Sequence, residues 1–262
     1  MKTSVTPTGL VKWQGRRVWI VGASTGIGAS LASQLATVGA RLALSARSRD
    51  KLEALAVAAP GALVLPLDVR DVAQQRDAYA SIVARWGGAD LVIFNAGTYS
   101  EMRADQFDLA TMDLHFAVNY HGVVNGLAAV LPDFLARSAD KPAIAIVASV
   151  AGYRGLPGAL AYGPSKAALI NLAETLYLDL APRGIGVFLI APGFVDTPLT
   201  RQNKFAMPAL ISADQAASEI VAGFARGKFE IHFPKRFTRW LKAMRLLPYS
   251  LYFRAVHRVT GL

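Results

Sequence analysis

Short, nearly continuous apolar runs recur along the chain at 17–21, 41–46, 63–67, 91–95, 143–149, 186–191 and 229–233, and the stretches between them read as helices. Strands alternating with helices are joined by right-handed βαβ crossovers, so this pattern predicts one parallel sheet. The runs lack polar alternation, as expected of strands covered by helices on both faces. The expected fold is α/β: a single-domain, doubly wound parallel sheet of about seven strands, one per run. With 262 residues, 53% of them hydrophobic, the chain can bury a sizeable core without disulfide or metal staples. The clearest helix follows the first run. Ile27, Leu31, Leu35 and Val38 recur at helical spacing, and Gly39 is placed to end it.

The absence of cysteine excludes thiol catalysis, disulfides and thiolate metal sites. His115, His121, His232 and His257 have no carboxylate or histidine at metal-ligand spacing, so no metal site is expected. His121 nevertheless falls where it could line a pocket. No apolar run approaches the ~20 residues that cross a bilayer, and the first fifteen or so residues lack a signal-peptide apolar region, so the expected compartment is the cytoplasm.

The net charge of +10 is concentrated at one end. From residue 226 onward nine Lys or Arg face one acid, Glu230, which leaves 19 basic and 17 acidic residues for the rest. A nearly neutral body offers no extended basic groove, so nucleic acid is not an expected partner.

The first strand runs into Gly22-Ala23-Ser24-Thr25-Gly26-Ile27-Gly28, and the helical pattern begins at once. Strand, glycine turn and helix start form an anion site, because backbone N–H groups and the positive helix end face a phosphate that no Cβ obstructs. The G-x-x-x-G-x-G spacing resembles that of the short-chain dehydrogenase/reductase family, and the resemblance extends from about residue 16 to 234. It implies a Rossmann fold and a nicotinamide dinucleotide held by Gly22, Ser24, Thr25, Gly26, Ile27 and Gly28. Asp68-Val69 looks like the family's adenine-contacting pair. Asn95-Ala96-Gly97 looks like its N-A-G motif, with Phe94 where many members carry another Asn.

The second strand ends Leu44-Ser45-Ala46-Arg47, with no acid until Asp50. An acid there would accept from a ribose 2′-OH, whereas a 2′-phosphate needs a cation. In the family alignment Ala46 replaces the acid and Arg47 stands where NADP-preferring members place arginine. The expected cofactor is NADP(H), with Arg49 as a lesser contact.

In Tyr162-Gly163-Pro164-Ser165-Lys166 a phenol and an amine lie four residues apart, on one face of a helix. A free phenol has a pKa near 10, and a neighbouring ammonium favours the phenolate. Ser149 lies 13 residues before Tyr162, matching the family's offset, and Asn119 in Val118-Asn119-Tyr120-His121-Gly122 matches its helix asparagine. Pro192-Gly193-Phe194-Val195-Asp196-Thr197 matches the motif beside the nicotinamide. The resemblance then implies these roles: Ser149 orients the substrate oxygen, Tyr162 exchanges its proton, Lys166 binds the ribose and acidifies the phenol, and Asn119 holds a water that leads to solvent. Thr197 and the backbone at Val195 position the carboxamide, with Pro192 and Gly193 as further cofactor contacts. Pro164, in place of the commoner alanine, is tolerable in a first helical turn.

The expected activity is therefore NADP(H)-dependent interconversion of a carbonyl and a secondary alcohol, on a hydrophobic substrate. The segment 199–212 occupies the family's variable lid, where Phe205, Met207 and Leu210 are candidate substrate contacts. Residues 1–234 form the catalytic domain and 235–262 an extension of two basic amphipathic helices hinged at Pro248. Docking of that extension on the body, on a second subunit or on an anionic membrane surface are all open. A homodimer or homotetramer through helices near 105–135 and 162–180 follows from the resemblance. A different class of reading, a non-catalytic dinucleotide sensor or a membrane-associated interaction protein on the same fold, is disfavoured by Ser149, Tyr162 and Lys166 occurring together.

Overall fold

A computed structural model of the protein describes residues 9–202 and 207–260. In chain order its elements are β1 (Arg17–Val21), α1 (Gly26–Thr37), β2 (Arg41–Ser45), α2 (Arg49–Val57), β3 (Leu63–Val64), α3 (Val72–Trp86) and β4 (Leu91–Phe94). Then come α4 (Leu109–His115), α5 (Gly122–Ala136), β5 (Ala143–Val147), α6 (Tyr162–Leu180), β6 (Gly186–Pro192) and β7 (Val195–Asp196). Last are β8 (Ile211–Ser212), α7 (Ala213–Arg226), β9 (Glu230–Phe233), α8 (Lys235–Arg245) and α9 (Tyr249–Thr260). Seven strands form one parallel sheet in the order β3-β2-β1-β4-β5-β6-β9, and β7 pairs with β8 in a small separate ribbon.

The continuous apolar runs fill both faces of this sheet. Trp19 and Val21 of β1 belong to the core beneath α3, α5 and α6, with Val92, Leu127, Phe134 and Leu169. Val18 and Ile20 point into the opposite core with Leu31, Leu35, Ile220 and Phe224 of α1 and α7. One polar group in the first core is satisfied inside it: the Trp19 indole donates to Ser45 Oγ at 2.9 Å.

Three elements differ from the sequence expectation. The third strand spans only Leu63–Val64, although Leu65 N and Leu67 N go on donating to Leu44 O and Ala46 O at 2.9 and 3.0 Å. Val38 is 45% exposed, since α1 stops at Thr37 and Gly39 turns the chain at φ +77°. The helix near 105–135 is not uniform: a turn of π-helix, Phe116–His121, joins α4 to α5 and contains the buried Asn119. Such bulges re-aim a side chain that regular α-geometry would place elsewhere.

Strand order reverses between β1 and β4, and the carboxyl ends of parallel strands at such a switch point open the crevice in which ligands bind. The glycine turn after β1 and the Asn95-Ala96-Gly97 turn after β4 both lie at that point.

Candidate active site

The glycine turn is built by contacts that leave no room for side chains. Gly22 adopts φ +95°, and a Cβ there would lie 2.5 Å from Ala96 N. A Cβ on Gly28 would lie 2.1 Å from Gly22 O and 2.7 Å from Asn95 Nδ2, which itself donates to Gly22 O at 2.7 Å. Asn95 therefore ties the two turns together. Thr25 caps α1 without a side-chain hydrogen bond, and α1 has no acid in its first turn, so the leading N–H groups remain available to an anion. Thr197 closes the cradle from the other side, its Cγ2 only 2.9 Å from where a Gly26 Cβ would be. Gly28→Ala should disrupt this packing by forcing α1 away from β1. The expected result is a fall in thermal midpoint together with at least about tenfold weaker dinucleotide binding by fluorescence titration.

At the second strand's end Arg47 is exposed and makes no side-chain hydrogen bond or ion pair among the described residues. Arg49 turns toward Glu53, 3.5 Å away. Asp68 accepts from Arg70 Nη2 at 2.6 Å, and this contact outweighs partial burial in holding its carboxyl below the ordinary range, with Arg47 adding to the field. Val69 is buried against α5.

Ser149 follows β5 and Tyr162 opens α6, so strand end and helix start deliver both side chains to one place. Both line a single cavity of about 770 Å³. Ser149 Oγ accepts from Ala151 N at 3.2 Å. Lys166 is buried one turn along α6; its Nζ donates to Val147 O at 2.9 Å and lies 5.7 Å from the centre of the Tyr162 ring. Pro164 falls in the first turn of α6, where its missing N–H has no intrahelical partner.

Electrostatics here run against the expectation of an acidified phenol. Burial pushes Tyr162 up to about 12, with Ser149's hydrogen bond acting downward and Tyr99 adding a smaller rise. Burial likewise pushes Lys166 down to about 8. Four-residue spacing puts amine and phenol on one face, yet it carries no sign of the desolvation that acts on both.

Asn119 is fully buried and committed: its Oδ1 accepts from Thr98 N at 2.7 Å, while Nδ2 donates to Thr98 O at 3.1 Å and Ser165 Oγ at 3.0 Å. It locks the turn after β4 onto α6. Beside it, a Cβ on Gly97 would stand 3.4 Å from Asn119 Oδ1 and 3.5 Å from Lys166 Nζ. At the nicotinamide motif, Pro192 ends β6, Gly193 N donates to Phe233 O at 2.7 Å, and Val195 is buried. Thr200 hydrogen-bonds Val195 O and receives Thr197 N at 3.1 Å.

Several site residues carry no sequence signal of their own. Tyr99 meets Tyr162 edge-on at 5.2 Å. His115 is a core histidine whose Nδ1 donates to Thr111 O at 2.7 Å and whose Nε2 accepts from Ser100 N at 3.0 Å, steadying the Tyr99 loop. His121 is exposed against Tyr120 and does not line the cavity. Of the lid residues, Met207 lines the cavity, Leu210 is exposed and does not, and Phe205 lies outside the described residues.

The C-terminal extension supplies the cavity's roof. Phe237, Trp240, Leu241 and Met244 of α8 and Tyr252, Val256 and Val259 of α9 all line it. The roof is fastened to the loop after Ser149. Arg154 donates to the carbonyls of Met244, Arg245 and Leu247 at 3.2, 3.2 and 2.6 Å, and its guanidinium sits 4.7 and 4.1 Å from the Tyr249 and Tyr252 ring centres. Tyr252 donates to Gly155 O at 2.6 Å, and Tyr153 donates to Glu230, which also pairs with Lys242. Arg154→Ala leaves the terminal carbonyls of α8 without these donors. Limited proteolysis should then cut the 246–249 hinge at least about tenfold faster, a loss of one or two charge-assisted bonds.

A family profile described as short chain dehydrogenase matches residues 16–207. An uncharacterized oxidoreductase of Myxococcus xanthus is 34% identical over 248 residues, 93% of this chain and 97% of its own. Among solved structures, a short chain dehydrogenase of Burkholderia cenocepacia in complex with NADP has a TM-score of 0.81 at 24% identity, covering 93% of this chain and 98% of its own. A short chain dehydrogenase/reductase of Burkholderia phymatum in complex with NAD also has a TM-score of 0.81, at 23% identity, covering 89% and 94%. These two likenesses are of fold.

Proposed function

Since the chain belongs to the short-chain dehydrogenase/reductase family, a family of NAD(P)-using oxidoreductases, we propose that it interconverts a carbonyl and a secondary alcohol with NADP(H), on a hydrophobic substrate. The observation that carries this reading is the meeting of Ser149 and Tyr162 on the wall of an apolar cavity, with Lys166 buried beneath them. The residues present fit a dinucleotide. Gly22, Gly26 and Gly28 hold a tight turn in which no Cβ fits beside Ala96, Thr197 and Gly22 O, the first N–H groups of α1 are open to its phosphates, and Arg47 is a cation without a partner, among the described residues, for a 2′-phosphate. Bound there, the cofactor supplies or accepts a hydride.

The protein's own groups do the rest. Tyr162, with its phenol protonated well above neutral pH, donates a proton to the carbonyl oxygen during reduction and takes it back in oxidation. Ser149 presents its hydroxyl to the same oxygen and fixes its direction. Lys166 holds the ribose hydroxyls and, while charged, favours the phenolate left behind. Asn119 acts as a positioning residue, because its three hydrogen bonds are spent on Thr98 and Ser165. Asp68 and Val69 face the adenine; Asn95, Ala96 and Gly97 shape the floor, and Pro192, Gly193, Val195 and Thr197 align the carboxamide. The substrate's apolar body lies under the roof of α8 and α9.

The proposed assembly is a cytoplasmic homodimer or homotetramer through the central helices, whose surfaces expose Leu109, Leu114, Leu135 and Leu178. Among the described residues no helix is long and apolar enough to cross a membrane. Screening aliphatic, cyclic and aromatic ketones while following NADPH absorbance tests the activity. Oxidation of NADPH with at least one class is expected. Tight NADPH binding with no turnover across all three classes would overturn it in favour of a sensor.

A further inference from the structure

The inner faces of α8 and α9 are accounted for by the cavity, but their outer faces are not. Leu246, Tyr249, Leu251 and Phe253 are 85, 70, 49 and 54% exposed and do not line the cavity. Trp240 and Val259 do line it, yet are 45 and 66% exposed, so they stand at its rim. Single exposed apolar residues are ordinary; six within twenty residues, spread over α8, α9 and the hinge between them, are not isolated cases. Tyr249 and Phe253 stack on each other at 5.7 Å with 26° between their ring planes, and both remain more than half exposed.

The charges on this surface have one sign. Arg236, Arg239, Arg245, Arg254 and Arg258 are all exposed, and none has an ion-pair partner among the described residues. Glu230, the one acid of the segment, is already held by Lys242 and Tyr153. Aromatic and aliphatic side chains among uncompensated cations complement an interface of acyl chains beneath anionic headgroups. A water-facing roof would need only the cations.

We propose that the outer face of α8 and α9 docks on an anionic lipid bilayer, so that the cavity rim at Trp240 and Val259 opens toward the acyl region and admits a bilayer-dissolved ketone or alcohol. The docking stands on the exposed residues alone, whereas the identity of the substrate rests on the oxidoreductase reading. Arg154 makes the arrangement effective. By clamping the α8–α9 hinge to the loop that carries Ser149, it keeps the membrane face and the reacting groups in one rigid relation.

The test uses the full chain and co-sedimentation with vesicles of phosphatidylcholine alone or mixed with phosphatidylglycerol. Expected is strong pelleting only with phosphatidylglycerol, weakened by added salt. Arg254→Gln with Arg258→Gln should lower that affinity roughly thirtyfold, from about 1 kcal/mol per surface cation. Leu246→Glu with Leu251→Glu should abolish it at unchanged NADPH affinity and thermal midpoint, which report folding. A second arm follows NADPH oxidation with a long-chain methyl ketone carried in vesicles and with cyclohexanone in water. The leucine variant should lose at least about tenfold in kcat/KM on the first and nothing on the second. Absence of turnover with either ketone counts against the oxidoreductase reading and leaves vesicle binding to decide the docking. Equal pelleting of native and both variant proteins overturns the proposal. So does a subunit count that falls in the leucine variant while native protein ignores vesicles, which would make this face a contact between copies of the chain.

Discussion

Tyr162→Phe should retain NADPH affinity within about twofold and lose carbonyl reduction by about a thousandfold, within the range that a positioned general acid contributes. The substitution isolates one atom. The ring keeps its edge-on contact with Tyr99 at 5.2 Å and its place above Lys166, so packing is preserved while the proton donor is removed. Burial pushes the phenol up to about 12, which keeps it protonated throughout the neutral range and suits donation. The reverse reaction is the demanding one, because it needs the phenolate. Alcohol oxidation should therefore climb about tenfold per pH unit through neutrality, below the pKa of both Tyr162 and Lys166, while reduction stays level there. Lys166, pushed down to about 8 by its own burial, is charged below that pH and neutral above it. As pH rises through about 8 its support for the phenolate is lost, so the reductive profile should break there, and Lys166→Met should remove the break. Stopped-flow measurement of NADPH absorbance under single-turnover conditions reads these effects, since the signal falls in reduction and rises in alcohol oxidation. Reduction by Tyr162→Phe at the native rate would move the acid to another group.

Features that depend on local chain geometry are legible in the sequence itself. Val18 to Val21, the three glycines and Ile27 to Leu35 form a strand, a turn and a helix because backbone sterics and apolar spacing act within a few residues of each other, and the turn appears where those rules put it. The joint occurrence of Ser149, Tyr162 and Lys166 is legible as a resemblance to the family's spacing, and the end of β5 and the start of α6 bring Ser149 and Tyr162 to one cavity. Features that depend on environment are not legible in this way. The direction of the phenol's shift is set by desolvation, which belongs to the surrounding cavity and not to a four-residue offset. The π-turn around Asn119 has no periodic signature. The apolar stripes of α8 and α9 are visible in the sequence, but their partner is not, because an amphipathic face states that it will be covered without saying by what. Tyr249 and Phe253, placed on the apolar stripe by spacing, turn outward, since Arg154 takes the inner side of Tyr249 and Tyr252.

Arg47→Ala should weaken NADPH by at least about tenfold and change NADH by less than about twofold. Three cations stand near the adenosine end, and two of them are already engaged. Arg49 is drawn toward Glu53 at 3.5 Å, and Arg70 is bound to Asp68 through both Nε and Nη2. Arg47 alone among the three has no partner among the described residues, and its charge reaches Asp68, the residue assigned to the adenine. A 2′-phosphate brings about two negative charges and several acceptors, and a guanidinium can meet it with two parallel N–H bonds. Such a contact is worth about 1.5–3 kcal/mol when sheltered, and exposure of Arg47 to solvent places it toward the lower end. NADH, with a 2′-hydroxyl, offers nothing for that charge to grip. Arg47→Glu should go further and invert the preference, since a carboxylate repels the phosphate yet accepts from the hydroxyl. Titrating both dinucleotides by quenching of tryptophan fluorescence measures the two ratios directly. Equal weakening of NADPH and NADH by Arg47→Ala would mean that the arginine supports the fold of the adenosine pocket and does not read the phosphate.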